Sequence, residues 1–275
     1  MASPDAGLSY YAGPDLNGQV LGTLEELGRP VDRLDSDDLA SLDEFHALGR
    51  PATLAQAKLA AVERGERVLD VGAGIGGPSR VLARYFGAQV TALDATERFC
   101  ELNRSLCERS GLGDRIEVVE GDARELPFEE ESFDLVWSQA VWQNIDDKDA
   151  VAREIHRVLR PGGRLALFEV AAGTGGPLHY PVPWADSADQ SFLVPPTELR
   201  ELLDRAGFDE IAWNEGASIQ STIQAAAADG HGMAAGVPGV TLELVMPDFQ
   251  ARMAGLARNV EEQGVALVQA VMQRA

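Results

Sequence analysis

The sequence is poor in cysteine, in lysine and in long apolar runs. Cys100 and Cys107 are the only cysteines in 275 residues. They fall in one stretch of helical spacing, where seven positions span roughly 10 Å, too far for a disulfide. No Cys/His spacing of the zinc type accompanies them, so the expectation is two free packing thiols and no metal. No apolar run reaches the roughly 18 residues of a membrane span. Met1-Ala2-Ser3-Pro4-Asp5 carries neither the positive charge nor the apolar core of a secretory signal. A cytoplasmic protein is expected.

Lysine occurs only at 58 and 148, and 44 acidic residues against 23 Lys and Arg leave a formal charge of −21. A surface so acidic repels nucleic acid and anionic membranes alike, and no basic cluster offsets it. The expected partner is therefore a small molecule, with the chain acting as a monomer or homodimer. A hydrophobic fraction of 45% is ordinary for a globular protein. The length suits one large domain with an appended lid.

Residues 1–64 read as a helical N-terminal cap. Leu16, Val20, Leu21, Leu24 and Leu27 recur at helical spacing until Gly28-Arg29-Pro30 interrupts them. Helix signals continue from Ser36 to Leu59, with a restart at Pro51-Ala52-Thr53. From residue 67 strands and helices alternate, the pattern of a parallel sheet covered on both faces. Strands are expected at 67–71, 89–93, 116–120, 133–138, 164–170, 208–214 and 265–272. Helices are expected at 77–85, 97–110, 148–159, 199–206 and 247–259. Arg160-Pro161-Gly162-Gly163 reads as a turn. The domain is expected to run from 65 to 275, with lid segments at about 171–198 and 215–250.

The stretch Val68-Leu69-Asp70-Val71-Gly72-Ala73-Gly74-Ile75-Gly76-Gly77 is the densest signal. A buried strand runs into a glycine turn and then a helix start, where bare backbone and oriented N–H groups meet a ligand. Gly72, Gly74 and Gly77 satisfy the dinucleotide spacing. Gly72, Gly74 and Gly76, with Asp70 ahead of them, satisfy the spacing of enzymes that use S-adenosylmethionine (AdoMet). A carboxylate at the mouth stabilises an ammonium or sulfonium and gains nothing beside a pyrophosphate.

Further polar residues stand at the ends of the expected strands. Asp94 ends the second strand, where a carboxylate accepts from ribose hydroxyls in NAD and AdoMet folds alike; it also stands where a helix N-cap would. Gly121-Asp122-Ala123 follows the third strand and offers an acid and an N–H to an adenine, or an Asx turn. Ser138 and Gln139 end the fourth strand, the edge at which ligands sit in open α/β sheets. Trp142 and Gln143 come just after and are candidates for the acceptor pocket, Trp142 equally for the core.

Together these residues, with Phe133-Asp134-Leu135-Val136 and Arg157-Val158-Leu159-Arg160-Pro161-Gly162-Gly163, resemble the class I AdoMet-dependent methyltransferases. Trp137-Ser138-Gln139 and Asn144-Ile145-Asp146-Asp147-Lys148 resemble the small-molecule type that methylates sarcosine and dimethylglycine. The resemblance implies a Rossmann-like, doubly wound seven-stranded sheet with the last strand antiparallel. It implies AdoMet held by Asp70, Gly72, Ala73, Gly74, Gly76, Asp94, Ala95, Asp122, Ala123, Ser138 and Gln139, with Tyr11 closing over its methionine end. Trp142, Gln143, Asn144, Tyr180 and Trp184 would contact the acceptor. Several relatives carry a histidine where Asn144 stands, and asparagine takes no proton at neutral pH. Methyl transfer from an activated sulfonium proceeds largely by proximity, so a base is needed only for acceptors such as phenols or carbon acids. His179 and His46 are the candidate bases. Three other readings stay open: an NAD-dependent oxidoreductase, a non-methylating AdoMet-binding cyclase and an AdoMet-binding accessory protein.

Overall fold

The computed structural model describes residues 15–35, 38–44, 48–227, 237–246 and 248–275. Tyr10, Tyr11, His46 and His231 lie outside the described residues. Seven strands form one sheet: β1 (Arg67–Val71), β2 (Gln89–Asp94), β3 (Ile116–Glu120), β4 (Phe133–Gln139), β5 (Leu159–Ala172), β6 (Phe208–Glu215) and β7 (Val265–Arg274). Their order is β3-β2-β1-β4-β5-β7-β6. Strands β1 to β5 pair in parallel, and β7 inserts antiparallel between β5 and β6. The sheet is thus the seven-stranded one that the alternation and the resemblance imply.

Coverage on both faces explains the near-continuous apolar strands. Val68, Leu69 and Val71 of β1 are fully buried. Among the described residues the α-helices are α1 (Leu16–Glu26), α2 (Gly49–Leu59), α3 (Gly77–Val81), α4 (Glu97–Arg109), α5 (Lys148–Val158), α6 (Pro196–Arg205), α7 (Ala217–Ala227) and α8 (Phe249–Glu261). Register brings the functional strand ends level, because Val71 pairs with both Leu93 and Ser138.

The helix expected over 77–85 is present: α3 continues without a break in π form over Leu82–Phe86. Two local expectations are corrected. The Arg160-Pro161-Gly162-Gly163 turn is instead a bulge within β5. Leu159 pairs with Phe133 and Arg164 with Leu135, and Gly162 supplies the positive φ of 73° that the bulge needs. The helix expected from Ser36 onward is absent from 38–44, which form turns. Those turns lower Asp43 onto α3. Its carboxylate pairs with Arg80 at 2.5 Å, both side chains being buried, and a Cβ on Gly77 would lie 1.8 Å from the Asp43 carbonyl. A continuous helix could not make that approach.

The N-terminal elements share a core with the rest of the chain. Leu16, Val20 and Leu24 of α1 cluster with Ile75, with Leu102 and Leu106 of α4, and with Val240 and Met246. Cys100 and Cys107 are buried on α4 as free thiols.

Candidate active site

The glycine loop closes on itself. The Gly72 and Ala73 N–H groups both donate to the Leu93 carbonyl, at 2.8 and 2.9 Å, and the Gly76 N–H donates to Ala73 at 2.8 Å. The Gly74 N–H donates to the Asp94 carboxylate at 2.8 Å, and the Thr96 N–H donates to its other oxygen at 2.9 Å. Asp94 therefore clamps the loop to the start of α4. Burial pushes its carboxyl up, and the Thr96 and Gly74 N–H bonds pull it back down. Glycine is required at 76, where φ is 84° and a Cβ would stand 1.9 Å from the Asn103 side chain.

A cavity of about 1570 Å³ opens along the carboxyl ends of the strands. Its cofactor-side wall contains Gly72, Ala73, Gly74, Asp94 and Ala95. Asp122 and Ala123 continue the wall after β3, and Gln139, Gln143 and Asn144 continue it after β4. Trp184 reaches it from the 171–198 segment. Four carboxylates, Asp43, Asp94, Asp122 and Asp146, border this part of the cavity. Among the described lining residues the one cation is Arg124, which Asp122 and Asp146 engage at 2.7 and 3.2 Å. The Arg124 hydrogen bonds hold the Asp122 carboxyl below the usual carboxylate range. No His, Lys, Cys or Tyr side chain borders the cavity among the described residues.

Several residues singled out from the sequence stand behind the wall. Asp70 is buried below the loop and accepts from Ser79 at 2.5 Å, tying β1 to α3. Gly76 shapes the turn without bordering the cavity. Ser138 donates to Glu169 at 3.0 Å and accepts from the Trp142 indole at 3.1 Å. Trp142 is accordingly a core side chain and not an acceptor contact. Tyr180 packs beside Val182, Trp184 and Ala185 and does not border the cavity. His179 also faces away from it. Its Nε2 lies 2.6 Å from Glu262, and its backbone N–H and carbonyl are both bound by the Asn259 side chain. A base role for His179 finds no geometry here. His46 and Tyr11 lie outside the described residues.

Two buried ionisable groups have a role that the sequence did not assign them. Glu169, near the end of β5, accepts from the Val141 N–H at 2.9 Å, the Trp142 N–H at 3.0 Å and the Ser138 hydroxyl. Burial pushes its carboxyl up to about 7. It holds the turn after β4, where Ala140 takes a left-handed φ of 59°. Lys148 donates to the Ile145 and Phe192 carbonyls at 2.6 and 2.5 Å, and burial pushes its amine down to about 8. The Phe192 N–H donates in turn to Gln143, so Phe192 fastens the 171–198 segment to the cavity wall at both backbone groups. The signals were present: a lone acid inside Leu165-Ala166-Leu167-Phe168-Glu169-Val170, and one of only two lysines.

The profile of the methyltransferase domain family matches residues 69–167, which span β1 to β5 and carry the loop, Asp94, Asp122 and Gln139. That family uses AdoMet as its methyl donor. Over 133 residues the chain is 38% identical to the methyltransferase GfsG of Streptomyces halstedii, covering 48% of each protein. Over 148 residues it is 35% identical to a sarcosine/dimethylglycine N-methyltransferase of Halorhodospira halochloris, covering 54% of this chain and 53% of the relative. The chain spans about half the length of these curated relatives. Among solved structures, the [4+2]-cyclase SpnF superposes with a TM-score of 0.65 at 21% identity, covering 99% of this chain and 96% of that one. That likeness establishes a shared fold across the methyltransferase domain and the segments around it. No helix among the described residues is long and apolar enough to cross a membrane.

Proposed function

We propose that the chain is an AdoMet-dependent methyltransferase acting on a small-molecule acceptor. One observation carries the reading: the loop N–H groups that would cradle a pyrophosphate are spent on Leu93 and Asp94, and Arg124, the one cation among the described lining residues, is spent on Asp122 and Asp146. A dinucleotide needs free donors and positive potential there. A nucleoside bearing an ammonium, a sulfonium and a ribose diol needs acceptors, and Asp94 and Asp122 are acceptors. In this reading Asp94 takes the ribose hydroxyls on lone pairs left over from Gly74 and Thr96. Asp122 and Ala123 flank the adenine, and Gln139 stands toward the methionine end. Asp70, Gly76 and Ser138 support the wall from behind, and Tyr11 would close over it.

Bound AdoMet would supply an activated methyl carbon for an aligned nucleophile to attack, the C–S electron pair leaving with sulfur as S-adenosylhomocysteine. The chain's part is placement. Gln139, Gln143 and Asn144 at the end of β4 present uncharged hydrogen-bonding groups to the acceptor, and Trp184 and Phe192 exclude water above it. A neutral amine nucleophile needs no base under this arrangement. The lid segments at 171–198 and 215–250, with a cap over 1–64, complete a single functional unit. A cytoplasmic setting suits its two unpaired thiols.

A second reading, an AdoMet-binding cyclase, draws on the lack of a His, Lys, Cys or Tyr side chain among the described lining residues. Calorimetric titration with S-adenosylhomocysteine (AdoHcy), with NAD as control, tests the cofactor. One-to-one binding of AdoHcy alone is expected, and binding of NAD alone would overturn the proposal. Methyl incorporation from labelled AdoMet into an acceptor library then separates transfer from cyclisation.

A further inference from the structure

Helix α8 carries its polar anchors on the inside. Arg252 is 3% exposed, donates to the Val182 carbonyl at 2.8 Å and pairs with Asp186. Asn259 is 1% exposed and binds both backbone groups of His179. Between them, Gly255 lies so close to the 179–186 segment that a Cβ would stand 2.1 Å from the Pro181 carbonyl. These three positions share one face of the helix and press it onto that segment.

The consequence falls on a second face. Phe249, Met253, Leu256 and Val260 recur at i, i+4, i+7 and i+11, and all four border the cavity. Met253 is 38% and Val260 58% exposed. Phe249 and Leu256 pack partly against neighbouring apolar clusters, while Met253 and Val260 stand open, and exposed apolar side chains that border a cavity mark a binding surface. The stripe is about 16 Å long at 1.5 Å per residue. Trp184, Phe192 and Ile219 extend the apolar lining from two other segments. A cavity of about 1570 Å³ also exceeds the roughly 300–1,000 Å³ that suits one drug-sized ligand, leaving room for a nucleoside and a second bulky molecule.

Charge points the same way. A small acidic acceptor would need a cation, and Arg124, the one cation among the described lining residues, is already held by Asp122 and Asp146. Elsewhere on the wall such an acceptor would meet Asp189 and Glu215. We infer that the acceptor is an uncharged, largely apolar molecule about 16 Å long that lies along the α8 stripe, the helix rise setting that length. Its role as acceptor rests on the methyltransferase proposal; the site itself rests on the helix.

The test uses the full chain saturated with AdoHcy. Nile red, an uncharged apolar dye, is titrated by fluorescence, with progesterone as competitor and sarcosine as the charged alternative. Saturable one-to-one dye binding is expected, displaced by progesterone and not by sarcosine. Met253→Asp should weaken it at least tenfold with AdoHcy affinity unchanged. Leu256→Asp should do the same, and since Met253 is partly exposed its variant serves if the Leu256 one fails to fold. Absent or non-saturable binding, binding indifferent to Met253→Asp, or displacement by sarcosine would overturn the inference. Failure of AdoHcy to bind while the dye behaves as expected would sink the methyltransferase proposal and leave the apolar site standing.

Discussion

The Glu169 carboxylate accepts from the Trp142 backbone N–H at 3.0 Å. This joins the end of β5 to the turn that follows β4. The same oxygen takes the Val141 N–H, so one buried acid positions the segment that carries Gln143 and Asn144. Its folded pKa, about 7, lies above the ordinary glutamate value of 4.5 because burial disfavours the charged form. The native state therefore holds this proton where the unfolded chain has released it. The associated stability is complete below pH 4.5 and is lost as pH rises through 7. Glu169→Gln keeps an acceptor for both N–H groups and removes the titration. The wild type should lose on the order of 2–3 kcal/mol relative to Glu169→Gln between pH 5 and 8, as read by urea unfolding at each pH. Parallel curves for the two proteins would refute the assignment.

Asp94 has two duties in the proposed site, clamping the loop and meeting the ribose. Asp94→Ala should weaken AdoHcy binding by about 1–3 kcal/mol, measured by calorimetry. Asp94→Asn retains an acceptor and should lose less. Equal affinity in all three proteins would remove Asp94 from the site.

Lys148 fastens Phe192 to the cavity wall. Lys148→Met fills similar volume but leaves the Ile145 and Phe192 carbonyls without this donor. A stability loss of about 1–3 kcal/mol is expected. Limited proteolysis should cut 184–195 faster in the variant, and an unchanged digestion pattern would show that the lysine does not hold the segment.

His179 pairs with Glu262 away from the cavity. His179→Ala should leave AdoHcy affinity and Nile red binding as they are in the wild type. A loss of either beyond threefold, with the melting curve intact, would return this histidine to the site.

The strands were legible because buried parallel strands are short apolar runs bounded by turn residues, and Val68–Val71 or Leu135–Trp137 can be little else. The cavity-wall residues Gly72, Asp94, Asp122 and Gln139 were legible for a related reason: each sits at a strand end, and in this topology all strand ends from β1 to β4 meet at one edge. What escaped were directions of side chains. Trp142 follows Gln139 closely, yet its indole turns to Ser138 and the core, while the next residue, Gln143, borders the cavity. His179 looked suited to catalysis by residue type alone, and Glu262, 83 positions away, decided its orientation. The turns at 38–44 depend on the buried Asp43–Arg80 pair, which spans 37 positions and leaves no local periodicity to read.

The antiparallel slot between β5 and β6 bears on how the protein is made. Among the described residues β6 has no partner in the sheet other than β7. During synthesis it therefore emerges with both edges bare, and so does the outer edge of β5, until residues 265–274 have left the ribosome. The first four strands can assemble on the nascent chain, since each finds its neighbour among residues already translated. The final third cannot close until its last strand arrives. Chaperone dependence and aggregation during expression should therefore track β5 and β6, and slowing translation upstream of residue 265 should prolong that exposure.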